Sequence, residues 1–170
     1  MRTPAWPTAF MYGRRRLTRL ESAIYAAGAA ILIALFADRA LGYMELAEKF
    51  AMQSTLSVLA SGINAHLAAE MLRGPAPAAA AWSGRNPVEV AGTTLPSFVG
   101  DLGLRELASL ERPAWAFDGQ RGELVYLPRL HRTLTTADPA GALRFRLVPH
   151  VSGLGYRLVS TSSYAWDPPE

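Results

Sequence analysis

The chain passes through four hydrophobic rhythms. From Ser22 to Ala37 no position is charged. From Met52 to Met71 apolar residues recur every three or four positions. From residue 74 to 113 Pro and Gly interrupt any period. After residue 114 apolar and polar positions alternate. Each regime predicts its own element.

Read as a helix, the uncharged run rises about 24 Å, short of the ~30 Å hydrocarbon core of a bilayer. Extending it back to Leu17 completes a span and places Arg19 and Glu21 at headgroup depth, where an arginine snorkels. A cleaved secretory signal needs a small-x-small site after the apolar run, and Leu35-Phe36-Ala37-Asp38-Arg39 is a poor one. A helix this apolar buried in a soluble core needs a large domain around it, and the rest of the chain is small. The segment is therefore expected to be a retained membrane span.

The helical pattern continues past the span. Met52, Leu56, Leu59, Ile63, Leu67 and Met71 make one apolar stripe. Glu45, Glu48 and Lys49 are expected on its exposed turns, and Asn64 and Glu70 fall off the stripe. Arg73 suits the last turn, and Gly74-Pro75 ends the pattern. One helix of about 55 residues follows, with Gly28, Gly42 and Gly62 as its soft points. Residues 74–113 read as a loop-rich connector in which LGLRELASL (102–110) forms one short helix.

The alternating region predicts short strands near 114–117, 123–127, 142–148 and 155–160. Asp118-Gly119-Gln120-Arg121-Gly122 joins the first two as a hairpin loop. The tail SSYAWDPPE is aromatic and then proline-terminated. Trp115, Phe117, Leu124, Tyr126, Phe145 and Leu147 offer a core-facing side. Three or four strands cannot bury such a face alone, so the helix stripe is its expected partner. The expected fold class is α+β: a long N-terminal helix, membrane-spanning in its first half, packed on a small antiparallel β-sheet. The expected domains are a basic head (1–16), the membrane half of the helix (17–40), its soluble half (41–73), the connector (74–113) and the sheet region (114–170).

Charge orients this arrangement. The chain has 17 basic and 14 acidic residues. Arg2, Arg14, Arg15, Arg16 and Arg19 give the first twenty residues +5, which leaves 12 basic against 14 acidic elsewhere, or −2. By the positive-inside rule the head is cytoplasmic and the body lies across the membrane. A body of that charge makes a nucleic-acid partner a poor fit, because phosphate binding needs clustered cations. The basic head suits anionic lipid instead.

Chemistry is sparse. Without cysteine there is no disulfide, thiolate site or thiol nucleophile. His66 lies beside the helix stripe, and His131 and His150 sit at loop or strand ends with no second ligand at metal spacing. Asp118 precedes Gly and Asp138 precedes Pro, which is turn chemistry. Gly119 and Gly122 are hairpin glycines, and Trp115 and Trp166 are packing residues. No nucleophile elbow, P-loop or zincin motif occurs. The expectation is a protein that is not an enzyme and takes no cofactor or metal.

The unusual residue is Glu21, a carboxylate at the mouth of a span. It must sit at the water boundary or find a partner. Here the chain resembles a known family. LTRLE (Leu17 to Glu21) resembles the F-T-L-I-E segment of type IV pilins and type II secretion pseudopilins, with Thr18 second, Glu21 fifth and the apolar run following at once. NPVEV (86–90), PSFVGD (96–101) and AWAFDGQRGELVYLP (114–128) are similar to the globular part of such proteins. The resemblance covers most of Leu17 to Val159. It implies a non-catalytic subunit or minor subunit of a type II secretion or type IV pilus assembly in the bacterial inner membrane, N-terminus cytoplasmic and C-terminal domain periplasmic. Its implied partners are membrane lipid, other pilin-like subunits or secretion-platform proteins, and copies of itself. It also implies that Glu21 pairs with the free amine of a neighbour's Leu17 after leader cleavage between Arg16 and Leu17.

Two departures stand beside it. The family's leader peptidase cuts after glycine, whereas Arg16 holds that place and the nearest glycine is Gly13. FADRALGYM replaces the family's proline-containing join. The competing expectation is an uncleaved, single-pass periplasmic adaptor or sensor with a pilin-like shape, starting at Met1 or Met11, in which Glu21 pairs with an arginine such as Arg14 or stays solvated.

Overall fold

The computed structural model describes residues 18–74, 81–103, 107–151 and 154–167. The basic head, Arg16 and Leu17 lie outside the described residues. Two compact units divide at the Arg39–Ala40 bond.

Helix α1 is continuous from Arg19 to Arg73, 55 residues, as the sequence leads one to expect. It runs through Gly28, Gly42 and Gly62 without a break. Gly62 serves close approach rather than softness, because a Cβ there would lie 3.2 Å from the Cβ of Ala91. In the first unit every described side chain is exposed. The helix is long and apolar enough there to cross a membrane.

The second unit holds the rest. The connector is more structured than its Pro/Gly content suggests. Asn86 caps a short helix α2 (Pro87–Ala91), its side chain accepting from Val88 N at 3.1 Å, with Pro87 first in the helix and Gly92 closing it in the left-handed region. Strand β1 (Phe98–Asp101) follows. The expected helix over 102–110 is reduced to a 3-10 turn at Leu107–Ser109, and residues 104–106 lie outside the described set.

Strands β2 (Ala114–Asp118), β3 (Glu123–Leu127), β4 (Leu134–Thr136), β5 (Leu143–Pro149), β6 (Tyr156–Ser160) and β7 (Tyr164–Trp166) complete the unit. The main sheet has the order β1-β2-β3-β5-β6. Its pairs are antiparallel except β1–β2, which is parallel. The expected three or four antiparallel strands therefore form its centre. The extra edge, β1, and the separate β4–β7 pair have partners distant in sequence, and local periodicity does not report those.

Alternation sorts the sheet residues onto two faces. Trp115, Leu124, Tyr126, Leu143 and Phe145 pack with Met52 and Leu59 of α1, Val88 and Trp166. Leu147 and Tyr156 pack with Ile63 and Trp82. The opposite face is covered too: Ala114, Ala116, Val125 and Leu127 meet Leu102, Leu107 and Leu110. This second layer explains why all five residues of β3 are buried. The helix stripe ends earlier than its spacing implies. Met52, Leu59 and Ile63 are buried, Leu56 and Leu67 half-buried, and Met71 is 43% exposed.

Asn64, off the stripe, fastens the helix to the sheet edge. Its Oδ1 accepts from Tyr156 N at 2.8 Å and its Nδ2 donates to Tyr156 O at 3.0 Å, as a neighbouring strand would. Gly155 makes room: it sits at φ 94°, and a Cβ there would lie 2.7 Å from Asn64 Oδ1.

Candidate functional site: helix α1 and its two faces

The start of α1 gives Glu21 a partner within its own chain. Thr18 N donates to Glu21 Oε2 at 2.8 Å, and Glu21 N donates to Thr18 Oγ1 at 3.3 Å. This is a capping box, two otherwise orphaned amides satisfied reciprocally. The T-x-x-E spacing is legible in the sequence, but beside the pilin resemblance it is easily passed over. Of the expected pairing residues, Thr18 and Glu21 are brought together; Leu17 and Arg16 are outside the described residues.

In the second unit the charges on the first turns of α1, from Glu45 to Lys49, engage the protein itself. Glu45, Glu48 and Lys49 do not decorate an exposed turn. Glu45 is 1% exposed. Its Oε1 accepts from Thr133 N, Thr133 Oγ1 and Trp166 Nε1, each at 3.0 Å. Burial pushes this carboxyl up, but the Thr133 amide, the Trp166 indole, the Thr133 hydroxyl and the charge of Arg132 outweigh it and hold it below its usual value. Glu48 accepts from Tyr126 OH at 2.9 Å, Arg129 N at 2.6 Å and Leu130 N at 2.9 Å. Burial, and then the Glu48 charge, push the Tyr126 phenol up. Lys49 Nζ donates to Trp166 O and lies 3.7 Å from Asp167. Three backbone amides of the 129–133 turn thus end on two helix carboxylates. Hydropathy marks these residues as polar and therefore outward, because it cannot see amides that arrive from some eighty residues away.

Between Ala40 and Ala69 these three are the only Asp, Glu, Lys or Arg residues. The opposite face is left without charge. It exposes Tyr43, Phe50 and Val58 among Ala47, Ser54, Ser57, Ser61 and Ala65. Ser57 Oγ turns back to Gln53 O at 3.1 Å, and Thr55 Oγ1 to Ala51 O at 2.9 Å. Small residues and internally satisfied hydroxyls let a second helix approach closely.

The sheet's far side carries a different cluster. Arg144 bonds Asp138 at 2.8 Å and Asp118 at 3.3 Å and lies 3.6 Å from Glu123, which Arg146 also engages at 2.9 Å. Burial lowers the tendency of Arg144 to hold its proton, and Asp138, Glu123 and Asp118 outweigh it. Asp118 and Asp138 also accept the turn amides expected of them. His66 packs edge-on against Trp82, centroids 5.4 Å apart, beside an open cavity of about 220 Å³. His131 Nδ1 meets Arg129 O at 3.3 Å. Trp115 and Trp166 are buried packing residues. Among the described residues no group of three His, Asp or Glu is placed to hold a metal.

No family model matches the chain, and neither a curated protein nor a solved structure does so.

Proposed function

We propose that the protein is a non-catalytic, pilin-like subunit or minor subunit of an inner-membrane assembly of the type II secretion or type IV pilus kind. Its N-terminal head would be cytoplasmic and its sheet domain periplasmic. The observation that carries this reading is the charge placement on α1. Every charged side chain from Ala40 to Ala69 engages the protein's own globular part, and the outward face is left uncharged. A helix that only tethered a domain in water would gain solubility from outward charge. One that packs against other helices is better without it. The resemblance of Leu17 to Glu21 to the pilin segment points the same way.

The absence of native cysteine makes a direct test clean. Single cysteines at Ser54, Ser57, Ser61 and Ala65, oxidised in native membranes, should crosslink to another copy or to a pilin-like partner with helical periodicity. Cysteines at Gln120 and Arg157 should not. A scan with no crosslink along the helix, or with equal crosslinking everywhere, removes the assembly reading.

The second reading, an uncleaved anchored adaptor or sensor, is favoured by the capping box. With one Glu21 oxygen held by Thr18 N, the carboxylate needs no neighbour's amine. The intact mass of the membrane-extracted protein separates the two. A chain starting at Leu17 supports the subunit, and one starting at Met1 or Met11 supports the anchor.

A further inference from the structure

We propose that the cavity between α1, the 82–86 turn and α2 is a binding site for a free α-amino acid with an apolar side chain, held by both of its charged ends. The site lies wholly within the unit from Ala40 onward and stands whether the chain is a subunit or an anchor. His66 of α1, Trp82 and Arg85 of the turn, and Glu89 and Val90 of α2 line the cavity, whose volume is about 220 Å³. Pockets for drug-sized ligands run to about 300–1,000 Å³, so this one suits a single amino acid.

Its walls are fixed by contacts that leave the lining charges unused. Trp82 stacks on Tyr156, centroids 5.3 Å apart, and its backbone N donates to Tyr156 OH at 3.3 Å. Gly84 N donates to Leu147 O at 3.1 Å and ties the turn to β5. Gly62 lets α2 come close to α1 at Ala91. On this frame Arg85 and Glu89 are both exposed, and among the described residues neither has an ion-pair partner. Asn86 stands between them as the cap of α2 and donates its Nδ2 to Glu89 Oε1 at 3.1 Å, which leaves Oε2 for a ligand. Glu70, 3.9 Å from His66, is already bonded by Arg73 at 2.9 Å. A guanidinium takes a carboxylate bidentately, and a carboxylate takes an ammonium. A ligand with only one of these ends would meet a like charge across the cavity, so the pair selects a molecule carrying both. Val90 and the indole of Trp82, with His66 set edge-on at 5.4 Å, offer the apolar wall for its side chain.

The test titrates the detergent-solubilised full chain with L-leucine and L-phenylalanine by calorimetry. Beside them run N-acetyl-leucine, which lacks the ammonium, and leucinamide, which lacks the carboxylate. The His66 ring signal in the proton spectrum, identified by its loss in His66→Gln, reports whether a ligand enters this cavity. The expected result is saturable binding of both amino acids that shifts the His66 signal. Each analogue should bind at least about tenfold more weakly, the worth of one charged hydrogen-bonded contact. Arg85→Gln should weaken leucine by the same factor and leave leucinamide unchanged. Glu89→Gln should weaken leucine likewise and leave N-acetyl-leucine unchanged. Both side chains are exposed, so the melting temperature should not move, and either variant decides the matter without the other. No saturable binding of the amino acids, equal binding of the analogues, or affinity indifferent to both variants overturns the proposal. Binding that leaves the His66 signal in place overturns it too, because the ligand then sits elsewhere.

Discussion

Replacing Glu45 tests the inward charge placement most directly. In Glu45→Ala the Thr133 amide and the Trp166 indole N–H lose their acceptor in a place that is 1% exposed. Each orphaned buried donor costs about 1–3 kcal/mol, so the variant should lose about 2–6 kcal/mol, a large share of the 5–15 kcal/mol typical of a domain. Glu45→Gln keeps an acceptor and loses the charge, and should cost about 1–2 kcal/mol. Urea unfolding of the detergent-solubilised chain, followed by the fluorescence of buried Trp82, Trp115 and Trp166, gives both values. The sign with pH follows from the depressed carboxyl. Its contribution is full above the ordinary glutamate value of about 4.3 and is lost as pH falls through the lower folded value. The gap between wild type and Glu45→Gln should therefore be constant from neutral pH down to about 5 and close below about 4. A cost below about 1 kcal/mol for Glu45→Ala, or a gap that persists in strong acid, refutes the reasoning.

Other outcomes are equally definite. Glu21→Gln keeps the capping box and removes the charge, whereas Thr18→Ala and Glu21→Ala break the box at about 1 kcal/mol each. If assembly depends on an ion pair, Glu21→Gln should abolish crosslinking as fully as Glu21→Ala; if the cap is what matters, Glu21→Gln should behave as wild type. Gly155→Ala forces a Cβ onto Asn64 in a left-handed conformation and should cost about 1–3 kcal/mol in the same unfolding assay, against little for Gly74→Ala, which meets nothing. Arg144→Met strands Asp118, Glu123 and Asp138 without their shared cation. It should cost about 3–5 kcal/mol at neutral pH, and less in acid, where the carboxylates are neutral; a cost that is the same at both pH values means the side chain acts by packing alone.

The sequence by itself determined the α+β class, the continuous helix from Arg19 to Arg73, the β2–β3 hairpin and the helix-facing alternation of β5. Each of these is a local period or a turn signal, set by residues adjacent in the chain. The N-cap at Asn86 and the capping box at Thr18 and Glu21 have local signals in Asn-Pro and T-x-x-E, yet neither was expected from the sequence, and the structure brought them out. Tertiary structure decided what depended on distant partners. It set β1 parallel beside β2, paired β4 with β7 and covered the second face of the sheet with Leu102, Leu107 and Leu110. It reversed the sense of Glu45 and Glu48, because whether a carboxylate faces water or the interior depends on which donors arrive to meet it. Here those donors are the amides of Arg129, Leu130 and Thr133 and the indole of Trp166, and only folding brings them to the helix.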